Sequence, residues 1–481
     1  MSEAGFSYVI ETEIPQSYFG NLFDFIYNEY LTQSDKQFAN ISRGVTEGEP
    51  VLSFNVLGPQ GEVNLSVEIR GSIPIKMKIA PVDPQSSAEL VRRIEQDMII
   101  VVESFEDGLR KNALYFAWEE GERIIPERKY GSTNKTLNRL FLETQIMLFV
   151  LFLTVGLFLF VFIGWLAPVV LLAVQFAFVF YSNKFIARTG DWHINESNPT
   201  IHLLQVFLPM QEQDAVKKAY SDGRLLAMKK EVYEQTILKN GDLDCTTASE
   251  TFGKYGFKCS PENLVAKRIN VYALVKKAAG KFGFPMPEIV VSNTLLPNAA
   301  ASGPSPSRAV VLITTGLLTQ LDEDEIISIL GHEFGHLKGR DPLYLYGITG
   351  AEFMFRFYVL FPLFPIIFTS LLFLVYFWFI MTLIYFVAKF FEARADLISA
   401  MVMGQPQVLA RALEKIGFRR LMFERVPQYR LQEWVSLDPH PPIYFRVERL
   451  EKLAEPVHVK HPLVQSAKDV VAGFLANLRA A

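Results

Sequence analysis

The stretch that decides the fold and the chemistry of this chain is LGHEFGHLK, residues Leu330–Lys338. It contains the pattern His-Glu-x-x-His, and its flanks are apolar at helical spacing. Asp322 and Glu325, three positions apart just upstream, have the spacing of a capping box, which predicts that a helix begins there. Two residues four apart project from one helix face, so the imidazoles of His332 and His336 can share one metal ion.

The residues between and next to the two histidines fit the same chemistry. Glu333 faces an adjacent side of the helix, where a carboxylate can take a proton from a water whose pKa a metal ion lowers. Gly331 and Gly335 reduce helix propensity, which is explained if another backbone or a substrate must come close to this helix.

A catalytic zinc site has three protein ligands and one open position, so the histidine pair needs a third ligand from elsewhere. The stretch FEARAD places Glu392 and Asp396 four apart on a predicted helix, where one carboxylate can bind metal and the other can support it. Taken alone, such a pair is also typical of a solvated acidic face. Because both segments flank one predicted membrane hairpin, we expect them to meet, which favours the metal site.

His-Glu-Phe-Gly-His, then a hairpin, then Glu-Ala-Arg-Ala-Asp resembles the HtpX-like family of membrane zinc metallopeptidases, gluzincins related to the type I CAAX prenyl endopeptidases. The resemblance covers Leu264–Leu450 and implies a mainly α-helical, zincin-like catalytic domain with a small β-sheet. It implies Glu333 as general base and Asp396 as the partner that orients a histidine. The ligands that it implies for one Zn²⁺ ion per chain are His332, His336 and Glu392.

The stretch PNAAASG, residues Pro297–Gly303, is similar to the family's edge strand, which pairs with the substrate backbone. Ala300 stands where an aromatic residue is usual, which alters the adjoining subsite but leaves main-chain pairing possible. Without the resemblance, this stretch is an ordinary loop. The residues expected to bind substrate are Asn298, Ala299, Ala300 and Ala301.

The stretch HPPIYFR begins at His440 and ends at Arg446. The resemblance implies that these two residues lie beside the scissile carbonyl and stabilise negative charge there. From the residues alone, His-Pro-Pro also fits a plain helix start with proline in its first turn.

Two apolar stretches are each too long for one membrane crossing, which takes about 20 residues. Ile146–Tyr181 has a turn signal at Gly164–Pro168, and Phe357–Ala388 has one near Phe368–Ser370. Each therefore predicts a helical hairpin, and so four transmembrane helices in total. Basic residues flank the open ends of both hairpins, which predicts that the soluble parts and the active site face the cytosol. They are Lys135, Arg139, Lys184, Arg188, Lys338, Arg340, Arg356, Lys389 and Arg394.

The amino-terminal part predicts a separate small domain. A helical pattern at Tyr18–Leu31 precedes three strands, VLSFNVLG, EVNLSVEIRG and IPIKMKIAP, and a helix at Ser87–Glu119. We expect a multi-domain integral membrane protein with these parts: an N-terminal soluble α+β domain at 1–140, transmembrane hairpins at 141–185 and 351–391, a linker or cover at 186–260, and a catalytic domain split between 261–350 and 392–481.

Composition bounds the remaining possibilities. The net charge of −4 from 47 basic and 51 acidic side chains gives no field that would attract nucleic acid. Cys245 and Cys259 form no C-x-x-C pair, which favours two reduced thiols in a cytosolic segment.

We therefore expect a zinc endopeptidase that acts on membrane or unfolded polypeptides in quality control, with the lipid bilayer as its second partner. Cleavage of prenylated carboxy termini is the nearest alternative within the enzymes, although that branch resembles a protein with more membrane spans. A non-catalytic membrane scaffold with a metal site is the alternative from another class. A transporter is disfavoured because no charged residue interrupts either apolar stretch.

Overall fold

A computed structural model of the chain describes residues 6–32, 37–58, 61–82, 88–121, 124–125, 154–156, 158–208, 218, 223–239, 241, 243–368 and 370–480. The chain divides into two compact units. The first unit comprises Met1–Phe116 and Leu203–Lys267, and the second comprises Ala117–His202 and Arg268–Ala481.

The first unit is built on an antiparallel sheet of five strands in the order β1-β5-β4-β3-β2. Alternate residues of β3, β4 and β5 are buried, and the long helix α2 contributes Ile94 and Met98 to the same core. The three predicted strands are confirmed as β3, β4 and β5. The elements are β1 Phe6–Ile10, α1 Phe19–Phe25 with a π-helical turn at Ile26–Leu31, β2 Phe38–Thr46, β3 Glu49–Leu57, β4 Val63–Arg70, β5 Ile75–Pro81 and α2 Ala88–Asn112.

The predicted helix at Ser87–Glu119 is wrong at its carboxyl end, because α2 stops at Asn112 and Leu114–Glu119 forms strand β6. All six residues of β6 are buried, and they form an aromatic-rich run without the polar stripe of a surface helix. The strand belongs to a three-stranded sheet in the order β6-β8-β9.

The first hairpin is described from residue 154 onward, and its first helix up to residue 153 lies outside the described residues. Residues 158–163 are helical, Gly164–Leu166 forms a 3₁₀ turn, and helix α3 follows at Ala167–Phe180. Gly164 has a φ of 56°, the left-handed region that favours glycine. The turn therefore lies where the sequence predicts it, and a short helix α4, Ser182–Ala187, follows.

Residues 186–260, expected to form a linker or cover, contain regular structure. They include β7 Trp192–Ile194, β8 Thr200–Val206, α5 Arg224–Gln235 and α6 Cys245–Lys254. The prediction of reduced thiols is wrong in this structure, because Cys245 and Cys259 form a disulfide across a separation of 14 residues. Helix α6 and the turn after it bring the two Cα atoms to 5.5 Å, a proximity that sequence spacing does not reveal.

The catalytic part of the second unit begins with a four-stranded sheet in the order β11-β12-β10-β7. Strands β10 and β12 are parallel, whereas β11 is antiparallel to β12 and forms one end of the sheet. The elements of this part of the chain are β9 Leu264–Asn270, α7 Val271–Phe282, β10 Glu288–Ser292, β11 Ala299–Ser302, β12 Val310–Thr314 and α8 Thr315–Gln320. Strand β9 belongs to the three-stranded sheet described above.

Helix α9, Glu323–Gly339, carries the His-Glu-x-x-His motif, and its predicted capping box is confirmed. The backbone N–H of Glu325 donates to the Asp322 carboxylate over 2.8 Å, and the N–H of Asp322 donates to the Glu325 side chain over 3.0 Å. This cap satisfies free amides at the helix start and so stabilises the first turn of α9.

The second hairpin joins α9 to the third expected ligand. Helix α10, Asp341–Phe355, continues through a π-helical turn to Leu363, and helix α11, Leu372–Met403, returns. A short helix, Pro365–Phe368, lies between them, and the predicted turn near Phe368–Ser370 includes Thr369, which lies outside the described residues. The last helices are α12 Pro406–Glu424, α13 Pro427–Val435, α14 Ile443–Glu451 and α15 Pro462–Ala480.

Helices α9 and α11 pack closely because two glycines face the second helix. A Cβ atom added at Gly335 would lie 3.0 Å from both the Cα and the carbonyl oxygen of Ala395. One added at Gly331 would lie 2.6 Å from the hydroxyl of Ser399. The Ser399 hydroxyl in turn donates to the carbonyl of Ser328 over 3.0 Å. The expectation that another backbone approaches these glycines is confirmed, and that backbone belongs to α11.

Replacing Gly335 by valine should push α9 away from α11 and lower the free energy of unfolding by about 1–3 kcal/mol, as overpacking typically does. Thermal or chemical unfolding of the detergent-solubilised protein measures this. Gly280→Val is the matched control, since that helical glycine has no atom within 4 Å of its added Cβ. Equal stability of the two variants would contradict the close packing of α9 on α11.

Candidate metal centre

Three side chains from α9 and α11 converge on one point. The Nε2 atoms of His332 and His336 are 3.1 Å apart, and the Glu392 carboxylate lies beside both: its Oε2 atom is 3.5 Å from Nε2 of His332, and its Oε1 atom is 3.4 Å from Nε2 of His336. One ligand atom from each residue lies within 4.8 Å of the other two. The structure thus brings together all three ligands that the sequence predicts.

The donor set and its spacing fit a zinc ion. Ligand atoms at about 2.0–2.1 Å from one ion in a tetrahedral site are about 3.3–3.4 Å apart, which is the spacing of these three side chains. The Oε2 atom of Glu392 is buried and receives no hydrogen bond from the described residues. A buried carboxylate oxygen of this kind is stabilised by a cation.

Each histidine has a carboxylate beside its Nδ1 atom. The Nδ1 atom of His332 lies 2.8 Å from Asp396, and that of His336 lies 2.8 Å from Asp341. Hydrogen bonding at Nδ1 leaves each Nε2 free to face a metal ion. The position of Asp396 agrees with the sequence prediction.

Sequence reasoning missed Asp341. Its signal in the sequence is an acidic residue five positions after His336, a spacing that puts it beyond the end of helix α9. Nothing in helical periodicity indicates that the chain turns back there and brings the carboxylate to the imidazole.

The electrostatic environment distinguishes the two imidazoles. Burial lowers the pKa of His332, but the nearby carboxylates of Asp396 and Glu392 outweigh burial and raise it to about 10. Burial is the main cause that lowers the pKa of His336 below its ordinary value. The surrounding carboxylates therefore favour positive charge at this point, and His336 supplies a neutral imidazole, the form that binds metal.

Arg446 lies beside His332 and the Asp396 carboxylate, with its Nη2 atom 3.5 Å from Nδ1 of His332. Its guanidinium donates two hydrogen bonds to that carboxylate, over 2.9 and 2.7 Å, and the residue is only 4% exposed. Burial lowers the pKa of Arg446, but the charge and hydrogen bonds of Asp396 outweigh burial, so the pKa of Arg446 lies above its ordinary value. These two hydrogen bonds to Asp396 hold the Arg446 guanidinium in position.

His440 lies at the open rim of the ligand group. Its Nε2 atom is 3.6 Å from Glu392, its Nδ1 atom is 2.8 Å from Asp438, and 43% of its side chain is exposed. Burial raises the pKa of the Asp438 carboxyl. The hydrogen bond with His440, helped by the charges of His440 and Arg420, outweighs burial and brings the pKa well below its usual range. An ionised Asp438 thus fixes the orientation of His440.

Glu333 faces strand β11. The backbone N–H of Ala301 donates to its Oε2 atom over 3.0 Å. Strand β11 contains three of the four expected substrate-binding residues, Ala299, Ala300 and Ala301, and Asn298 directly precedes it. The strand pairs only with β12 among the described strands, so its other edge is open to a partner strand.

Comparisons with known proteins agree on one family. A model of "Peptidase family M48" matches residues 266–454. "Protease HtpX homolog" of Pyrococcus furiosus is 32% identical over 212 residues, which span 38% of this chain and 73% of the relative. The protein of the same name from Methanopyrus kandleri is 35% identical over 214 residues, spanning 38% of this chain and 66% of the relative.

Among solved structures, "Crystal Structure of S. mikatae Ste24p" matches with 19% identity and a TM-score of 0.30, over 37% of this chain. The match spans about half of that protein, 49%. At that score the likeness supports no argument about this chain.

We expect the purified protein to bind one zinc ion and Glu392→Gln to weaken that binding strongly, because a neutral amide is a poor zinc ligand. Glu333→Gln is the matched control, since Glu333 contacts β11 and is not among the three grouped side chains. Zinc titration against a chromogenic chelator measures both. Unchanged affinity in Glu392→Gln, or equal loss in both variants, would contradict the assignment of Glu392.

Proposed function

This chain belongs to peptidase family M48 and is a metalloendopeptidase, and we propose that it uses one zinc ion bound by His332, His336 and Glu392. The observation that supports zinc most is the close approach of these three side chains, whose imidazole nitrogens and carboxylate oxygens lie 3.1–3.5 Å apart. When bound, zinc supplies a Lewis acid and lowers the pKa of a water molecule toward neutrality.

We propose Glu333 as the general base. Glu333 follows His332 directly on α9 and is half-buried. It is next to a proposed ligand in sequence but is not one of the three grouped side chains. From there it takes a proton from the attacking water and passes it to the amine that leaves when the peptide bond breaks. The hydrogen bond from Ala301 holds the carboxylate beside the open edge of β11.

An extended peptide that adds to the open edge of β11 would lie beside Glu333. Strand addition uses main-chain hydrogen bonds, and the small side chains of Ala299, Ala300 and Ala301 create no deep selective pocket. These features support a broad set of substrates, recognised by an extended backbone more than by side chains. We propose membrane or unfolded polypeptides as those substrates, in protein quality control.

Two basic residues have separate proposed roles. His440 is exposed at the rim and held by Asp438, where it can donate to the oxyanion that develops during hydrolysis. Arg446 was expected to share this task, and its guanidinium donates from Nε and Nη2 to Asp396. We therefore propose that Arg446 keeps Asp396 ionised and in place behind His332.

We propose that the protein is embedded in a lipid bilayer. The described residues contain two stretches long and apolar enough to cross a membrane, Leu372–Met403 and Thr154–Phe180, the second of which includes the turn at Gly164–Leu166, so four transmembrane helices remain a proposal. Along α11, Val375 and Phe379 are more than 60% exposed, whereas Ala395 is fully buried. Large exposed apolar surfaces are rare on soluble proteins, so the first half of α11 fits lipid and its second half fits a protein interior.

The side of the membrane was predicted from basic flanks, and three of those residues have hydrogen-bond or ion-pair partners. Lys389 is fully buried and donates to the carbonyl of Asp438, Arg394 is paired with Asp341, and Arg356 is paired with Glu352. The disulfide at Cys245 is typical of an oxidising compartment. Cytosolic placement of the soluble parts therefore depends on the other flanks, which within the described residues are Lys184, Arg188, Lys338 and Arg340.

Glu333→Gln should lower proteolysis of an unfolded test protein by about 100- to 10,000-fold, the usual contribution of a general base, while zinc binding persists. A protease assay on matched wild-type and variant protein, with zinc content measured in both, checks this. Wild-type rates in the variant would contradict the mechanism, and a zinc-bound but equally inert pair would favour the scaffold alternative. Proteins trapped by the inactive variant would identify the substrates.

Membrane embedding predicts that the expressed protein stays in the membrane fraction at alkaline pH and leaves it only with detergent. Replacing Val375 and Phe379 by aspartate should reduce membrane retention, since charges in the lipid-facing half of α11 are costly. Release of the wild-type protein by alkaline extraction alone would contradict integral membrane placement.

A further inference from the structure

The turn that follows His336 has an unusual backbone. Arg340 ends helix α9 with a φ of 53°, in the left-handed region, although it is not glycine. Its backbone N–H donates to the carbonyl oxygens of His336 and Leu337, and helix α10 begins at the next residue, Asp341. A non-glycine residue in this conformation costs free energy, so the surrounding contacts must favour the turn.

The turn directs Asp341 back toward the metal centre. The Nδ1–H group of His336 donates to its Oδ2 atom over 2.8 Å, and the carboxylate is 5% exposed. Its other oxygen, Oδ1, pairs with the guanidinium of Arg394. The buried carboxylate is thus held between a ligand histidine on α9 and an arginine on α11.

Arg394 connects this carboxylate to the helix that carries the third ligand. It lies two residues after Glu392 and is 8% exposed. A Cβ atom added at Gly339 would lie 1.6 Å from its Nη2 atom and 2.7 Å from Oδ1 of Asp341. The guanidinium therefore occupies the space that a side chain at position 339 would need.

We propose that Asp341 is a positioning residue for the metal centre, resting on the function proposed above. By accepting from Nδ1–H, it selects the imidazole tautomer and ring plane that point Nε2 of His336 toward the zinc ion. The guanidinium of Arg394 lies in the space left by Gly339 and orients the Asp341 carboxylate from there. The pairs Asp396–His332 and Asp341–His336 then have parallel roles, each with an arginine behind the carboxylate.

The test is zinc affinity of the full-length protein by competition with a chromogenic chelator, together with unfolding of the metal-free protein. Asp341→Ala should weaken zinc binding about 10- to 100-fold, as loss of such partners does. Asp341→Asn should weaken it less, because its amide oxygen still accepts from Nδ1–H and its shape is retained. The visible spectrum of the Co²⁺-substituted protein should change in the alanine variant, since the geometry at His336 is altered.

Asp322→Ala is the control, because it removes the cap of the same helix without touching either histidine. It should lower stability and leave zinc affinity unchanged. Wild-type zinc affinity in both Asp341 variants would overturn the positioning role alone. The same conclusion would follow if Asp322→Ala lost as much stability as the Asp341 variants and also lost as much zinc affinity. A wild-type protein that binds no zinc would instead overturn the proposed function, and the role of Asp341 with it.

Discussion

The close packing of helix α9 on helix α11 is the contact on which the rest of the catalytic structure depends. His332 and His336 belong to one helix and Glu392 to the other, so the distance between helix axes decides whether three ligand atoms can reach one ion. Gly335 permits that distance, because any side chain there would meet the backbone of α11. The helical hairpin between α9 and α11 keeps both chain segments at one end of the same structure.

Charge is balanced around this contact in layers. The innermost groups are the ligands, and behind them the carboxylates Asp396 and Asp341 accept from the histidines. Arg446 and Arg394 lie behind those carboxylates. Buried charges are tolerated when each has a partner of opposite sign and well-aligned hydrogen bonds, which this arrangement provides. It also presents the histidines with fixed orientations before any metal binds.

Sequence reasoning could predict what depends on local spacing. The capping box of α9, the shared face of the two histidines and the facing glycines all follow from helical periodicity. Metal coordination rules require a third ligand, and the family resemblance implies that it is Glu392. Sequence reasoning could not predict Asp341, because a left-handed Arg340 is not visible in composition. It misjudged Leu114–Glu119, where apolar residues on both faces fit a buried strand as well as a helix, and it missed the disulfide, whose cysteines are brought together by tertiary structure.

The central claim is that two imidazoles and one carboxylate from α9 and α11 bind a single zinc ion. X-ray absorption at the zinc edge of the purified, zinc-loaded protein tests it most directly. We predict a four-coordinate ion with two imidazole nitrogens at about 2.0–2.1 Å and oxygen ligands at similar distances. A spectrum without the imidazole signature, or one that Glu392→Gln leaves unchanged, would contradict the account.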